Sequence, residues 1–361
     1  MVEPASGGAA RLYDIAPVGL IPRARLNRIP RHLRLAHEYC YFLHDEGVRL
    51  LLEYEEARAS VVEIKFRSRA DAAAFSKRAE ADDPVTALRA LGYVKEAQRV
   101  VINTITLAMI SDVLTHLFEA LRCMERRKTV VALNLLRKPL TDSLIYLAWM
   151  LGDEDGFYTE FSAGDPDRLT HSRLGNRRLP ILKAALAATG VEDYLDAEFL
   201  LSALFDPKAE GGLYRLFQHA VHLVTVQKVE LRTMSENFNF IFKNPTDDDI
   251  YEGVYGVLPD VLLFLSHVIL ELFDRVKPME RGGRKAFEIR STYALTLIAR
   301  PEAAESARQT LAEAMDGHVF CGACEAPLIL TRHNAARALL SESSRCTRCR
   351  RVQEFPFSWL F

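Results

Sequence analysis

Two groups of residues in this 361-residue chain carry chemistry in their types and spacing. Near the C-terminus, FCGAC (320–324) is followed by RCTRC (345–349), with 21 residues between Cys324 and Cys346. Cys321, Cys324, Cys346 and Cys349 therefore form a CxxC…CxxC set. Each CxxC folds as a tight knuckle presenting two thiolates to one ion, and two knuckles complete a tetrahedral four-sulfur shell. Soft thiolates select zinc, or less often iron, so the expected cofactor is one Zn2+ per chain. With every position filled by a protein sulfur, none is left for an activated water, and the metal is structural rather than catalytic. Gly322 inside the first knuckle suits the tight turn.

The second group lies in GGLYRLFQHAVHLV (211–224), which puts Arg215, His219 and His222 in an apolar stretch. On an α-helix, residues seven apart differ by about 20° in direction and residues four apart by about 40°, so the three share one stripe. A guanidinium holds a phosphate while an imidazole, titrating near neutrality, moves a proton. That equipment suffices for metal-independent RNA cleavage with the 2′-hydroxyl as nucleophile. The alternative is a set of core polar residues that ties neighbouring helices together.

The spacing Arg215-x6-His222 resembles the Arg-x(4–6)-His motif of the HEPN superfamily, compact helical domains common in prokaryotic toxins and phage-defence systems. LYRLFQHAVH is also similar to a Tyr-Arg…His segment of related bacterial helical proteins. In those proteins an earlier helix carries an arginine followed by an acid, and LLRKPLTDSLIYLAWML, with Arg137 and Asp142, looks similar. The likeness spans about 95–275. It implies a helical dimer with a composite site, in which Arg215 binds phosphate, His222 is the acid/base and His219 is a supporting donor.

The elements that must position these residues read as mainly α: a helical bundle with a minor β element and a C-terminal zinc ribbon. Residues 1–14 read as disordered, 15–280 as the helical body, 286–316 as a strand–helix connection and 317–361 as the ribbon. In 30–57, Ala36, Cys40, Leu43, Leu50 and Tyr54 form one apolar stripe. SVVEIKFR (60–67) alternates apolar and charged residues with period two and predicts a strand, with Ser68 capping the helix that follows. AFEIRSTYALTLIA (286–299) alternates similarly, so the two segments are expected to pair, with RGGRK (281–285) as a linker. The run 85–127 and the segment 129–151, kinked at Pro139, predict an antiparallel helix pair. Further helices are expected at 179–190, 192–205, 212–232 and 250–277. Between the knuckles, NAARALL (334–340) reads as helical.

Composition narrows the function. A net charge of −2 excludes a wholly basic nucleic-acid glove but not a local patch. Arg345, Arg348, Arg350 and Arg351 stand beside the second knuckle, where guanidinium groups grip phosphates. The alternative is a solvated ribbon edge docked through Phe355, Phe357, Trp359 and Phe361. The start MVEPASGGAA lacks the pattern of a signal peptide, and no membrane span is read, which points to a cytoplasmic protein with reduced thiols. Signatures of P-loops, dinucleotide folds, zinc proteases and esterases are absent. Asp247-Asp248-Asp249 reads as a helix N-terminal turn, while His116 and His267 read as core histidines. The leading expectation is a HEPN-like ribonuclease or defence effector acting on RNA. The rival is a non-enzymatic interaction protein that dimerises or docks a protein partner.

Overall fold

The computed structural model describes residues 15–225, 232–236, 239–240, 247–315, 318–355 and 357. The expectation for residues 1–14 lies outside them. The helices are α1 (Arg23–Leu26), α2 (Arg34–Glu56), α3 (Arg69–Ala81), α4 (Pro84–Ala90), α5 (Val94–Met124) and α6 (Thr129–Arg137). There follow α7 (Leu144–Gly152), α8 (Glu154–Ser162), α9 (His171–Leu174), α10 (Arg178–Thr189), α11 (Ala197–Phe205) and α12 (Leu213–Val221). The last are α13 (Asp249–Tyr255), α14 (Leu258–Asp274), α15 (Arg281–Ala299), α16 (Pro301–Met315) and α17 (Arg332–Ser341). Strands β1 (Ser343–Arg345) and β2 (Val352–Glu354) pair antiparallel, with Ser344 opposite Gln353.

At the centre lies α14, LPDVLLFLSHVILELFD, apolar around nearly its whole circumference and buried over almost its entire length. Helices α2, α7, α10 and α15 pack around it. The one acid in its first turn, Asp260, is buried and paired with Arg300 at 2.5 Å, which offsets part of the cost of an interior charge; burial still prevails and raises its carboxyl. The predicted stripe on α2 is buried at Ala36, Cys40, Leu43, Leu50 and Tyr54. By length and composition, Val94–Met124 and 249–274 are both apolar enough to cross a bilayer; the second is 89% buried as a core element.

Helices α5 and α6 form the expected pair. Their turn closes with Arg127 N–H on the Met124 carbonyl and Lys128 N–H on that of Cys123, both at 3.0 Å. Arg127 occupies the left-handed position of this helix C-cap (φ 58°), where glycine is usual. Pro139 does interrupt the following helix: residues Lys138–Ser143 form a π-helical turn, which accommodates the missing N–H.

Two strand expectations are corrected. Residues 61–66 form neither helix nor strand: Val62, Ile64 and Phe66 are half-buried between exposed neighbours, but among the described residues they have no sheet partner. Phe66 packs instead on Phe75 and Tyr93, in a small cluster with Leu88 and Ala97. The proposed partner, 286–299, is helical: Phe287, Ser291, Ala294, Leu295 and Ile298 are buried at helical spacing, and the local alternation was incidental. RGGRK is the first turn of α15 rather than a linker, anchored by Arg284 to Glu271, Asp274 and Glu288. In place of the expected strand–helix connection, the chain from 286 to 315 belongs to two helices, α15 and α16. Ser68 does cap α3, accepting the Asp71 N–H at 3.0 Å.

A buried carboxylate joins the N-terminal segment to the body. Glu125 receives a bidentate pair from Arg25 (2.9 and 2.6 Å), Arg122 at 2.6 Å and the Tyr41 hydroxyl at 2.8 Å. His37 Nε2 stands 3.5 Å away, and its Nδ1 bonds the Tyr255 hydroxyl. Burial alone would raise the Glu125 carboxyl; His37, Arg25 and Tyr41 outweigh it and hold it at about 2, against an ordinary 4.5. A depressed pKa stabilises the fold above the unfolded value and loses that contribution as pH falls towards the folded one. Glu125→Gln is therefore expected to cost about 3 kcal/mol at pH 7. The gap to wild type should narrow as pH falls from about 4.5 towards 2, read from urea midpoints. A gap independent of pH would show that the charge does not matter.

Candidate metal centre and the Arg215 helix

The two cysteine knuckles are built alike. In the first, Cys321 N–H donates to the Ala326 carbonyl (2.8 Å) and Glu325 N–H to that of Cys321 (2.8 Å). In the second, Cys346 N–H donates to Arg351 (2.9 Å) and Arg350 N–H to Cys346 (3.0 Å). The left-handed residue of each turn is Glu325 (φ 55°) or Arg350 (φ 67°); Gly322, expected to serve that purpose, is not among them. Gly322 instead donates its N–H to Gln353 Oε1 at 2.9 Å, and Gln353 Nε2 donates to the Phe320 carbonyl at 3.2 Å, bracing β2 against the first knuckle.

Between the knuckles α17 is helical, as NAARALL predicts, with Thr331 capping it through the Asn334 N–H. The buried Asn334 side chain donates to the Ile329 and Arg345 carbonyls and accepts the Arg345 N–H, which fastens the strand leading into the second knuckle. Ala335, Ala338, Leu339 and Leu340 belong to the main core, packed towards α15 and α2. Phe355 and Phe357 are buried in the same core; Trp359 and Phe361 lie outside the described residues.

This framework brings the four sulfurs within 4.8 Å of one another, with Cys321–Cys349 at 3.6 Å and Cys324–Cys346 at 3.7 Å. Disulfide sulfurs stand at about 2.05 Å. A tetrahedron with 2.3 Å metal–sulfur bonds has edges of roughly 3.8 Å, so the spacing fits four thiolates around one soft dication. Backbone N–H groups of Cys349 and Arg348 pull the Cys346 thiol down to about 6 despite its burial. At Cys349 the Arg351 N–H works in the same direction, but burial and the three neighbouring thiols prevail and hold it at about 11. Four adjacent thiols cannot all ionise without a cation among them, a charge that a dication would supply.

The structure separates the residues of the second group. Helix α12 ends at Val221, not at 232, and His222 has extended backbone (φ −113°, ψ 126°). Arg215 and His219 remain one turn apart and half-buried, while His222 is exposed beyond the end of the stripe. Leu213 and Phe217 bury the opposite side, and Asn134 of α6 caps the helix end through the Ala220 carbonyl at 3.1 Å. Gly212 starts the helix where a Cβ would lie 3.1 Å from the Ala203 carbonyl oxygen. Of the neighbouring motif, Asp142 sits in the π-turn and accepts from Thr141 at 2.8 Å. Arg178 of α10, which no motif marks, comes within electrostatic reach of Tyr214, Tyr146 and Asp142, over the Phe205 ring. Burial lowers its pKa.

Arg345, Arg348, Arg350 and Arg351 are all exposed. Among the described residues none has a carboxylate partner; Arg345 Nε donates to the Arg350 carbonyl at 3.1 Å. His267 is a buried core histidine, pushed down to about 3 by burial, with Nε2 on Ser291 Oγ at 2.9 Å. His116, expected to be like it, is half-exposed and bonds the Asp112 carbonyl. Asp249 does open α13, as the acidic run predicts.

Elemental analysis of protein purified without chelator is expected to find about one soft divalent ion per chain, falling towards zero in Cys346→Ser/Cys349→Ser. A stably folded, metal-free C-terminus would overturn the assignment. No protein-family model, curated protein or solved structure matches this chain. The likeness to HEPN domains thus rests on its short motifs alone.

Proposed function

We propose that this chain is an RNA-binding protein whose four-cysteine site holds a structural zinc ion. One observation carries the reading: four exposed arginines surround the second knuckle without a carboxylate partner among the described residues. A zinc ion with four thiolates has a formal charge of −2, and four guanidinium groups reverse the local sign. Arginine matches phosphate geometry with paired donors, and the ligand's counterions are released on binding. Cys321, Cys324, Cys346 and Cys349 would hold the zinc, which supplies a cross-link between the knuckles and no reacting water.

A second reading is favoured by Arg215, which is half-exposed, has no partner among the described residues and lies one turn from His219. In it, Arg215 holds the scissile phosphate, His222 exchanges the proton and His219 assists, with two protomers completing a HEPN-like site. This is the reading in which the protein acts as a toxin or phage-defence ribonuclease. The early end of α12 places on it the demand that His222 return towards Arg215 when RNA is bound. Without that return, the chain is an interaction protein that binds RNA or a partner without cutting.

The two readings separate in one set of measurements. Arg345→Ala/Arg348→Ala/Arg350→Ala/Arg351→Ala is expected to weaken binding of a single-stranded RNA oligomer at least tenfold. Its salt dependence should become shallower by up to about 3 in slope, at ~0.7 per lost phosphate contact. Unchanged affinity and slope would refute the ribbon as a nucleic-acid surface. Total RNA cut by wild type but not by Arg215→Ala or His222→Ala would support cleavage, whereas RNA left intact by wild type removes the ribonuclease reading.

A further inference from the structure

We infer that a second surface, formed by the basic segment 23–34 and the turn between α5 and α6, binds the phosphate backbone of the same RNA. It shares with the ribbon reading only the identity of the ligand; its residues are separate. The segment RARLNRIPRHLR carries Arg23, Arg25, Arg28, Arg31 and Arg34 with no acid among them. The turn contributes Arg122, Arg126, Arg127 and Lys128. They meet where Arg127 Nε donates to the Arg28 carbonyl at 3.0 Å and where Arg25 and Arg122 share the single buried carboxylate of Glu125.

The local charge is strongly positive even when its acidic border is counted. Asp247, Asp248, Asp249 and Glu252 adjoin the surface, with Asp248 on Arg127 at 2.7 Å and Glu252 on His32 at 2.5 Å. With Glu125, and with Glu119 one turn before Arg122 and beside the same Cys123 as Arg126 and Lys128, nine arginine and lysine side chains then face six carboxylates, in a chain whose overall charge is −2. Several of the nine serve the fold: Arg34 bonds the Ile29 carbonyl, and Arg127 lies over the Tyr251 ring. Four do not. Arg23, Arg28, Arg126 and Lys128 are exposed, and none of their side chains makes a hydrogen bond or ion pair among the described residues. A concentration of unneutralised guanidinium groups, with one lysine among them, suits phosphate rather than an isolated carboxylate.

The fold ties this surface to the ribbon. Arg337 of α17 donates to the Val18 carbonyl, and His333 bonds that of Pro17 at 3.2 Å. From the other side, Glu38 of α2 accepts the N–H groups of Val18, Gly19 and Ile21 at 2.6, 3.0 and 3.2 Å. Val18 and Arg23 are five residue steps apart, at most ~18 Å of chain. A strand of about twenty nucleotides, at ~3.4 Å or more per phosphate, is long enough to touch both surfaces.

The test titrates a fluorescent single-stranded RNA 20-mer with the full chain over a range of KCl concentrations. It uses wild type, Arg23→Glu/Arg28→Glu/Arg126→Glu, and a ribbon variant, Arg348→Glu/Arg350→Glu. The first variant is expected to bind at least tenfold more weakly, with a salt slope shallower by about 2. Helical circular dichroism and melting temperature should match wild type, because the exchanged side chains make no hydrogen bond or ion pair among the described residues. If the Glu variant does not fold, Arg23→Gln/Arg28→Gln/Arg126→Gln takes its place, with a loss of about fivefold expected. Unchanged affinity and slope in the folded variant overturn this surface and leave the ribbon reading to its own variant. Loss in this variant but not in the ribbon variant upholds this surface and overturns the ribbon reading. Absence of binding by wild type overturns both. Binding to phosphatidylserine vesicles that this variant loses, with RNA binding intact, overturns the choice of ligand.

Discussion

The buried carboxylate of Glu125 is the constraint on which much of the body depends. An unpaired interior charge costs several kcal/mol, so the fold must deliver partners to it from several elements at once. Arg25 comes from α1, Tyr41 and His37 from α2, and Arg122 from the same helix as the carboxylate. Tyr255 of α13 reaches the group through His37, and Tyr251 secures the adjacent Met124 carbonyl at 2.6 Å. Neutral His37 and ionised Glu125 are consistent: burial lowers the imidazole, while hydrogen bonding from His37, Arg25 and Tyr41 keeps the carboxylate charged against its own burial. Side chains fixed here set where the N-terminal segment lies, and that segment is in turn gripped by the helix between the cysteine knuckles.

Periodicity made the helical body legible. The stripe on α2, the paired α5 and α6, the interruption at Pro139 and the helix at 334–340 all follow from local rules. The errors came where a local rule needed a distant partner. Residues 61–66 have the alternating burial of a strand, but a strand requires a neighbour, and the candidate neighbour is helical. The segment 286–299 is long enough for both periods to fit, and only packing against α14 and α2 decides between them.

Of the candidate site residues, the cysteines were readable because metal spacing is a property of the chain itself. Both knuckles, however, put a charged residue rather than glycine into the left-handed conformation, so glycine was a poor guide to the turns. The Arg215 stripe depended on where α12 ends, and the groups that bond the chain there, Asn134 on α6 and Asn239 beyond the helix, are not local to the stripe. The grouping of Arg178 with Tyr214 and Asp142 has no counterpart in spacing, because it spans three helices that only the tertiary fold brings together.

The position of α17 changes what the C-terminal region is. A ribbon hung from a linker would leave the remainder of the protein intact when cut away. Here the helix between the two knuckles supplies Ala335, Ala338, Leu339 and Leu340 to the central core, and Phe355 and Phe357 complete the same face. A chain that stops before residue 318 would leave apolar surface on α2 and α15 open to water, a patch of the kind that drives self-association. During synthesis the same surface stays uncovered until α17, Phe355 and Phe357 have emerged, so the body reaches its finished packing only after the second knuckle has been made.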